Sequence, residues 1–508
     1  MPPMSEQVQV RARRLPQGPD WTFELIEQYE REIRAAAAEF ALDTYPNQIE
    51  VITSEQMLDA YASVGLPVGY PHWSFGKEFI RNEQAYRKGA QGLAYEIVIN
   101  SNPCIAYLME ENSMMMQALV IAHASYGHNS FFKGNYLFRQ WTAADAILDY
   151  LVFARRYVMD CEERHGIGPV EEILDSCHAL MSYGVDRYRR PQPLSAREEE
   201  ARVAEKSEYL QRQFNDLWRT IPVSDAARTT GHKRSVFPAE PEENILYFIE
   251  KHSPRLAPWQ REIVRIVRKL SQYFYPQGLT KVMNEGWATF WHYTLLNHMY
   301  DKGQLEDGFM IESLQAHTNV VTQRGFDERG YSGINPYALG FAMMRDIRRI
   351  CESPSAEDRH WFPDIAGTDW RKVLDFAMRN FKDESFIAQY LSPRLIREFR
   401  LFTVADHESK SYLEIDSIHN EEGYRRVRRL LAQHYNRDVS LPDIQVMRYE
   451  RDTDRSLVLR HLIHRNRPLV SADATEVLKH LARLWGFTVR LEAIDADGKL
   501  DHYRECVV

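Results

Sequence analysis

Two apolar stretches that each carry metal-type ligands constrain this chain more than any other feature. Residues 117–132 read QALVIAHASYGHNSFF and set His123 and His128 in an apolar helix. Residues 284–292 read NEGWATFWH and set Glu285 and His292 in a second, apolar-aromatic helix. Polar groups in such surroundings are costly unless they are hydrogen-bonded or hold a metal. A single histidine there reads most simply as a satisfied core residue. Four ligand-type side chains on two such helices point to a buried divalent metal.

Helix geometry sharpens this. Glu285 and His292 are seven residues apart and, at about 100° per residue, return to nearly the same face of one helix. His123 and His128 are five apart, which on a regular α-helix leaves them about 140° out of register. Both can bind one ion only if the helix is irregular there, through a π-bulge or a helix end at Gly127.

The segments AYEIVINSNPCIAYLMEENSMMMQALVIAHASYGHNSFFKGNYLF (94–138), VMNEGWATFWHY (282–293) and YSGINPYALGF (331–341) closely resemble the stage V sporulation protein R (SpoVR) family. The resemblance implies a bacterial cytosolic protein associated with spore cortex formation or a stress response. It also implies two partners, a serine protein kinase of the PrkA type and a von Willebrand A-domain protein. It supplies no reaction.

A second, local resemblance does suggest chemistry. HASYGH followed by NEGWA is similar to the gluzincin metallopeptidase pattern, which implies His123, His128 and Glu285 as zinc ligands, with His292 as a fourth ligand or a proton shuttle. The gluzincin base directly follows the first histidine, and here that position is Ala124. Either another group substitutes as the base or the site does not hydrolyse peptides. Glu110 and Glu111 are candidates, at the end of a hairpin formed by 95–100 and 104–110 with its turn through Asn100-Ser-Asn-Pro103. Their simpler reading is acidic charge near the N-terminus of a helix capped by Asn112 or Ser113. Tyr126 or Tyr293 is the candidate oxyanion donor.

The implied activity is zinc-dependent hydrolysis of an amide or peptide bond. One alternative is a non-enzymatic adaptor with a structural metal. The other is a di-metal carboxylate protein, prompted by Glu162-Glu-Arg-His165 and Asp175-Ser-Cys-His178. Glu162–His165 also reads as the charged end of a helix stopped by Gly166, and His178 as a residue orienting a ligand.

At 508 residues the chain exceeds one ordinary core. The expected class is α+β, predominantly helical: a tail over 1–18, a zincin-like metal-binding body over 19–398 and a small α+β domain over 399–508. The last is read from strands at 399–405, 411–415, 444–449, 456–461 and 487–493, with helices at 420–434 and 474–484. Helices are also expected over 21–42, 141–164, 196–220 and 258–275. With 63 basic and 72 acidic residues and no block of one sign, a general nucleic-acid role is excluded, although Arg425–Arg429 offers a surface for an acidic partner. Five cysteines without a C-x-x-C, no apolar leader and no membrane-length apolar run point to the cytoplasm.

Overall fold

The structure, a computed structural model, describes residues 14–62, 69–70, 72–73, 96–187, 237–326, 328, 331, 333–402, 404–405, 414–415, 419–436, 441–464, 467–495 and 497–507. The helix expected over 196–220 lies outside them. The chain forms two compact units, one of residues 1–167 with 272–440 and one of 168–271 with 441–508. The division near 399 is therefore corrected to one after Ser440, because the helix Glu421–His434 packs on Asp383–Tyr390 in the first unit.

The first unit opens with α1 (Phe23–Glu39), capped by Thr22 and burying Ile26, Tyr29, Ile33 and Ala36 along one stripe. A three-stranded sheet follows in the order β1-β3-β2, made of β1 (Asn47–Ile52), β2 (Glu96–Ile99) and β3 (Cys104–Met109). β2 and β3 form the expected antiparallel hairpin, and β1 pairs with β3 in parallel. α2 (Met114–Ile121) starts at Ser113, whose side chain accepts from the Met116 backbone N–H. It runs directly into a π-helical turn, Ala122–His128, and then α3 (Asn129–Gly134).

Four further helices of this unit follow. They are α4 (Lys281–Asp301), α5 (Asp307–Val321), α6 (Pro336–Glu352) and α7 (Trp370–Asn380). α4 is buried on nearly every side, as a helix without a polar stripe must be. Its first N–H groups are satisfied by Asp383, whose carboxylate accepts from Val282 and Met283 at 2.8 Å each. Burial raises the Asp383 carboxyl to about 7. α4 packs against both the π turn and α6, which brings the two ligand-bearing segments together.

The first unit also holds a two-stranded antiparallel pair, β4 (Val404–Ala405) and β5 (Glu414–Ile415). The second unit contains a four-stranded sheet in the order β6-β7-β8-β9, made of β6 (Asp443–Tyr449), β7 (Leu457–Leu462), β8 (Val489–Ile494) and β9 (Leu500–Cys506). β7 and β8 are parallel and the other pairs antiparallel. The helix Ser471–Trp485 connects β7 to β8, and its Trp485 N–H donates to the Arg455 carbonyl. β9 was not expected from its polar alternation. No helix among the described residues is long and apolar enough to cross a membrane.

Candidate metal centre

The π turn resolves the spacing of the histidines. An i→i+5 repeat brings residues five apart onto one face, and the rings of His123 and His128 lie 4.7 Å apart between centroids. Gly127 permits this locally, since a Cβ there would fall 2.5 Å from the Ala288 Cα of α4. The backbones of the turn and of α4 therefore meet beside the cluster.

Two carboxylates face the two imidazole Nε2 atoms. Glu96 Oε1 lies 3.1 Å from His123 Nε2 and 3.9 Å from His128 Nε2. Glu285 Oε2 lies 3.5 Å from His128 Nε2 and 4.0 Å from His123 Nε2. A tetrahedral ion with bonds of about 2.0–2.2 Å has ligand-to-ligand edges of about 3.3–3.6 Å. These four distances bracket that range. Glu285 Oε2 is sealed from solvent and accepts no hydrogen bond, an expensive state that a cation would relieve. Nitrogen and carboxylate donors of this kind suit zinc or another first-row divalent ion. Glu96, His123 and His128 are the residues that group tightly enough to hold a metal among the described residues.

The surrounding contacts orient the two imidazoles. His128 Nδ1 lies 2.9 Å from Asn284 Oδ1, so it carries the proton and leaves Nε2 bare for a metal. His123 Nδ1 lies 2.9 Å from His292 Nδ1, and His292 Nε2 lies 2.9 Å from His317 Nδ1 on α5. The Tyr337 ring stacks over His123, with centroids 6.5 Å apart. Burial, with the neighbouring imidazoles, holds His123 and His292 well below the usual histidine range. Burial and then Arg345 bring His317 down to about 4. Burial, with Glu285 opposite, holds the Glu96 carboxyl well above the usual range.

Residues 20–440 match the family described as SpoVR like protein, and residues 442–496 match the SpoVR-like C-terminal domain. The chain belongs to the SpoVR family. It is similar to "Uncharacterized protein YcgB" of Escherichia coli (strain K12), 61% identical over 493 residues, covering 97% of this chain and 96% of that protein. No solved structure matches it. The junction of the two SpoVR regions coincides with the boundary between the compact units after Ser440.

Several expected site residues of this SpoVR chain stand elsewhere. His292 faces the cluster from α4 as its spacing requires, but both its nitrogens are taken by other histidines, so it lies one layer behind His123 and His128. Tyr126 is corrected as an oxyanion donor, because its hydroxyl donates to Glu30 Oε1 at 2.6 Å and Glu30 is held in turn by Arg34. Tyr293 packs on the ring of His317 at 5.0 Å. Glu110 and Glu111 are exposed beyond β3, and the Ser54 backbone N–H donates to Glu111. Ala124, at the gluzincin base position, is fully buried. Glu162, His165, Asp175 and His178 form no metal-competent group among the described residues. Gly166 ends the helix Ile147–His165 at φ 87°, as the helix-end reading requires. Glu96, Asn284 and His317 were not foreseen as site residues.

The depressed His317 gives a pH prediction for metal-free protein. Above the ordinary imidazole value of about 6.5, neither the folded nor the unfolded state carries its proton. Below that value the unfolded chain takes one, while the folded ring stays neutral until about 4, so stability is lost across this window as pH falls. Between about pH 7 and pH 5, thermal unfolding is expected to show a larger loss of Tm for the wild type than for His317→Gln. Equal losses would show that His317 does not titrate differently on folding.

Proposed function

We propose that the SpoVR body is a metal-dependent hydrolase centre for an amide or peptide bond, with zinc as the ion best suited to its donors. The observation that carries this reading is the pair of carboxylates facing the two imidazole Nε2 atoms. When bound, the ion supplies Lewis acidity toward a substrate carbonyl and lowers the pKa of water. His123, His128 and Glu285 would hold it, as the gluzincin-like pattern implies, while Glu96 is the carboxylate that groups more tightly with the two imidazoles.

Glu96 is then the general base. Its Oε1 lies 3.1 Å from His123 Nε2 and 3.9 Å from His128 Nε2, within reach of a water bound to an ion held there. It arrives from β2 rather than from the histidine helix, so position 124 needs no carboxylate. This work belongs in the cytoplasm, in spore cortex formation or a stress response.

The roles separate by variant. Glu285→Gln is expected to lose zinc. Glu96→Gln is expected to keep zinc and lose hydrolysis of a peptide library, by roughly 100-fold or more. Full hydrolysis by Glu96→Gln would remove it as the base.

A second reading rests on the same count of donors. Four protein groups can close a tetrahedron and leave no open position, which is the mark of a structural metal. The protein would then be an adaptor acting with a PrkA-type serine kinase and a von Willebrand A-domain protein. Equal loss of zinc in Glu96→Gln and Glu285→Gln, with no hydrolysis by the wild type, would favour it.

A further inference from the structure

We infer that His292 and His317 are positioning residues, and that a divalent metal on His123 fixes the proton-bearing nitrogen of each in turn, ending at His317. The inference rests on the metal reading above and concerns residues that only orient a ligand.

Three imidazoles stand in series. His123 presents Nε2 to the carboxylates, its Nδ1 meets His292 Nδ1 at 2.9 Å, and His292 Nε2 meets His317 Nδ1 at 2.9 Å. Each N···N contact needs one N–H and one lone pair. In metal-free protein the series can run in either direction, because the Glu96–His123 contact forms with the proton on either partner.

A metal on His123 Nε2 removes that freedom. The lone pair of Nε2 is then committed to the ion, so the His123 proton must sit on Nδ1 and be donated to His292 Nδ1. His292 must carry its own proton on Nε2 and donate it to His317 Nδ1. His317 is left with its proton on Nε2. Each ring then carries one proton and makes one donating contact or leaves one N–H at the end of the series, so the arrangement closes without a charged imidazole.

Packing keeps the series in register. His317 is 6% exposed, with the rings of Tyr293 and Phe341 at 5.0 and 4.6 Å from its own. His292 is 2% exposed. Neither ring can turn over without displacing aromatic neighbours. A ligand held this way keeps its tautomer through two further histidines, where a single carboxylate or carbonyl is the commoner device.

The test is nitrogen-15 NMR of the histidine rings in full-length protein, metal-stripped and then loaded with zinc alone. The expected result is zinc-dependent shifts at His123 and His128, with the protons of His292 and His317 both on Nε2. His317→Gln retains an acceptor for the His292 N–H and is expected to bind zinc nearly as the wild type does. His317→Leu retains none and is expected to bind about 10–100-fold more weakly. Zinc at His123 with the His317 proton on Nδ1, or wild-type affinity in His317→Leu, would overturn the relay and leave the metal site standing. Absence of any zinc shift at His123 and His128 would overturn both. The tautomer is read in the wild type, so a folding defect in the leucine variant does not affect that arm.

Discussion

Metal-stripped protein is expected to take up about one equivalent of zinc per chain, the number one tetrahedral site accommodates, and His123→Ala or Glu285→Ala is expected to abolish tight uptake. Each substitution removes a donor and also leaves the remaining buried groups without the cation that offsets them. The loss should exceed the roughly 10–100-fold cost of removing a residue that only orients a ligand. Elemental mass spectrometry after desalting, with affinity measured by competition against a chelator, reads the result. Glu110→Ala and Glu111→Ala serve as controls, because both residues are exposed beyond β3 and should keep full zinc content. Retention of zinc in both His123→Ala and Glu285→Ala would remove the centre as drawn.

The parts of this site that were legible in the sequence are those set by local periodicity. Histidines five apart cannot share a face of an α-helix, so an irregularity at Gly127 was required, and the π turn Ala122–His128 supplies it. The turn residues Asn100–Pro103 marked the hairpin, and the seven-residue spacing of Glu285 and His292 placed both toward the cluster. That spacing carries no information on depth, so it does not separate a fourth ligand at His292 from a residue standing behind His123.

Long-range pairing was not legible. Glu96 begins an apolar strand, Glu96–Ile99, and a lone carboxylate on such a strand was the available signal. Only the pairing of β2 with β3 shows which element it reaches. His317 sits on a helix whose local pattern does not mark it, and its role depends on α5 lying against α4. The grouping of residues 168–271 with 441–508 is likewise a matter of contacts far apart in the chain.

Replacing Gly286 or Gly340 by alanine is expected to destabilise the body strongly. In an ordinary helix interior the same change stabilises by about 1 kcal/mol. Here α4 and α6 meet backbone to backbone. A Cβ on Gly286 would lie 2.5 Å from Gly340 Cα, and one on Gly340 would lie 2.1 Å from the Val282 carbonyl oxygen. The obstructing atoms are main chain in both cases, so no side chain can swing aside and the helices must part. Overpacking of this kind costs about 1–3 kcal/mol, and more where relief requires backbone movement. Gly308→Ala, at an exposed helical position where a Cβ meets nothing within 4 Å, is the control and should cause no loss. Urea unfolding is expected to show lower midpoints for both interface variants. Because Gly286 adjoins Glu285, parting the helices also moves a ligand, so Gly286→Ala should lower zinc affinity even where the protein remains folded. Wild-type midpoints in both variants would mean that α4 and α6 do not approach through these glycines, and the close packing that sets Glu285 opposite His128 would lose its basis.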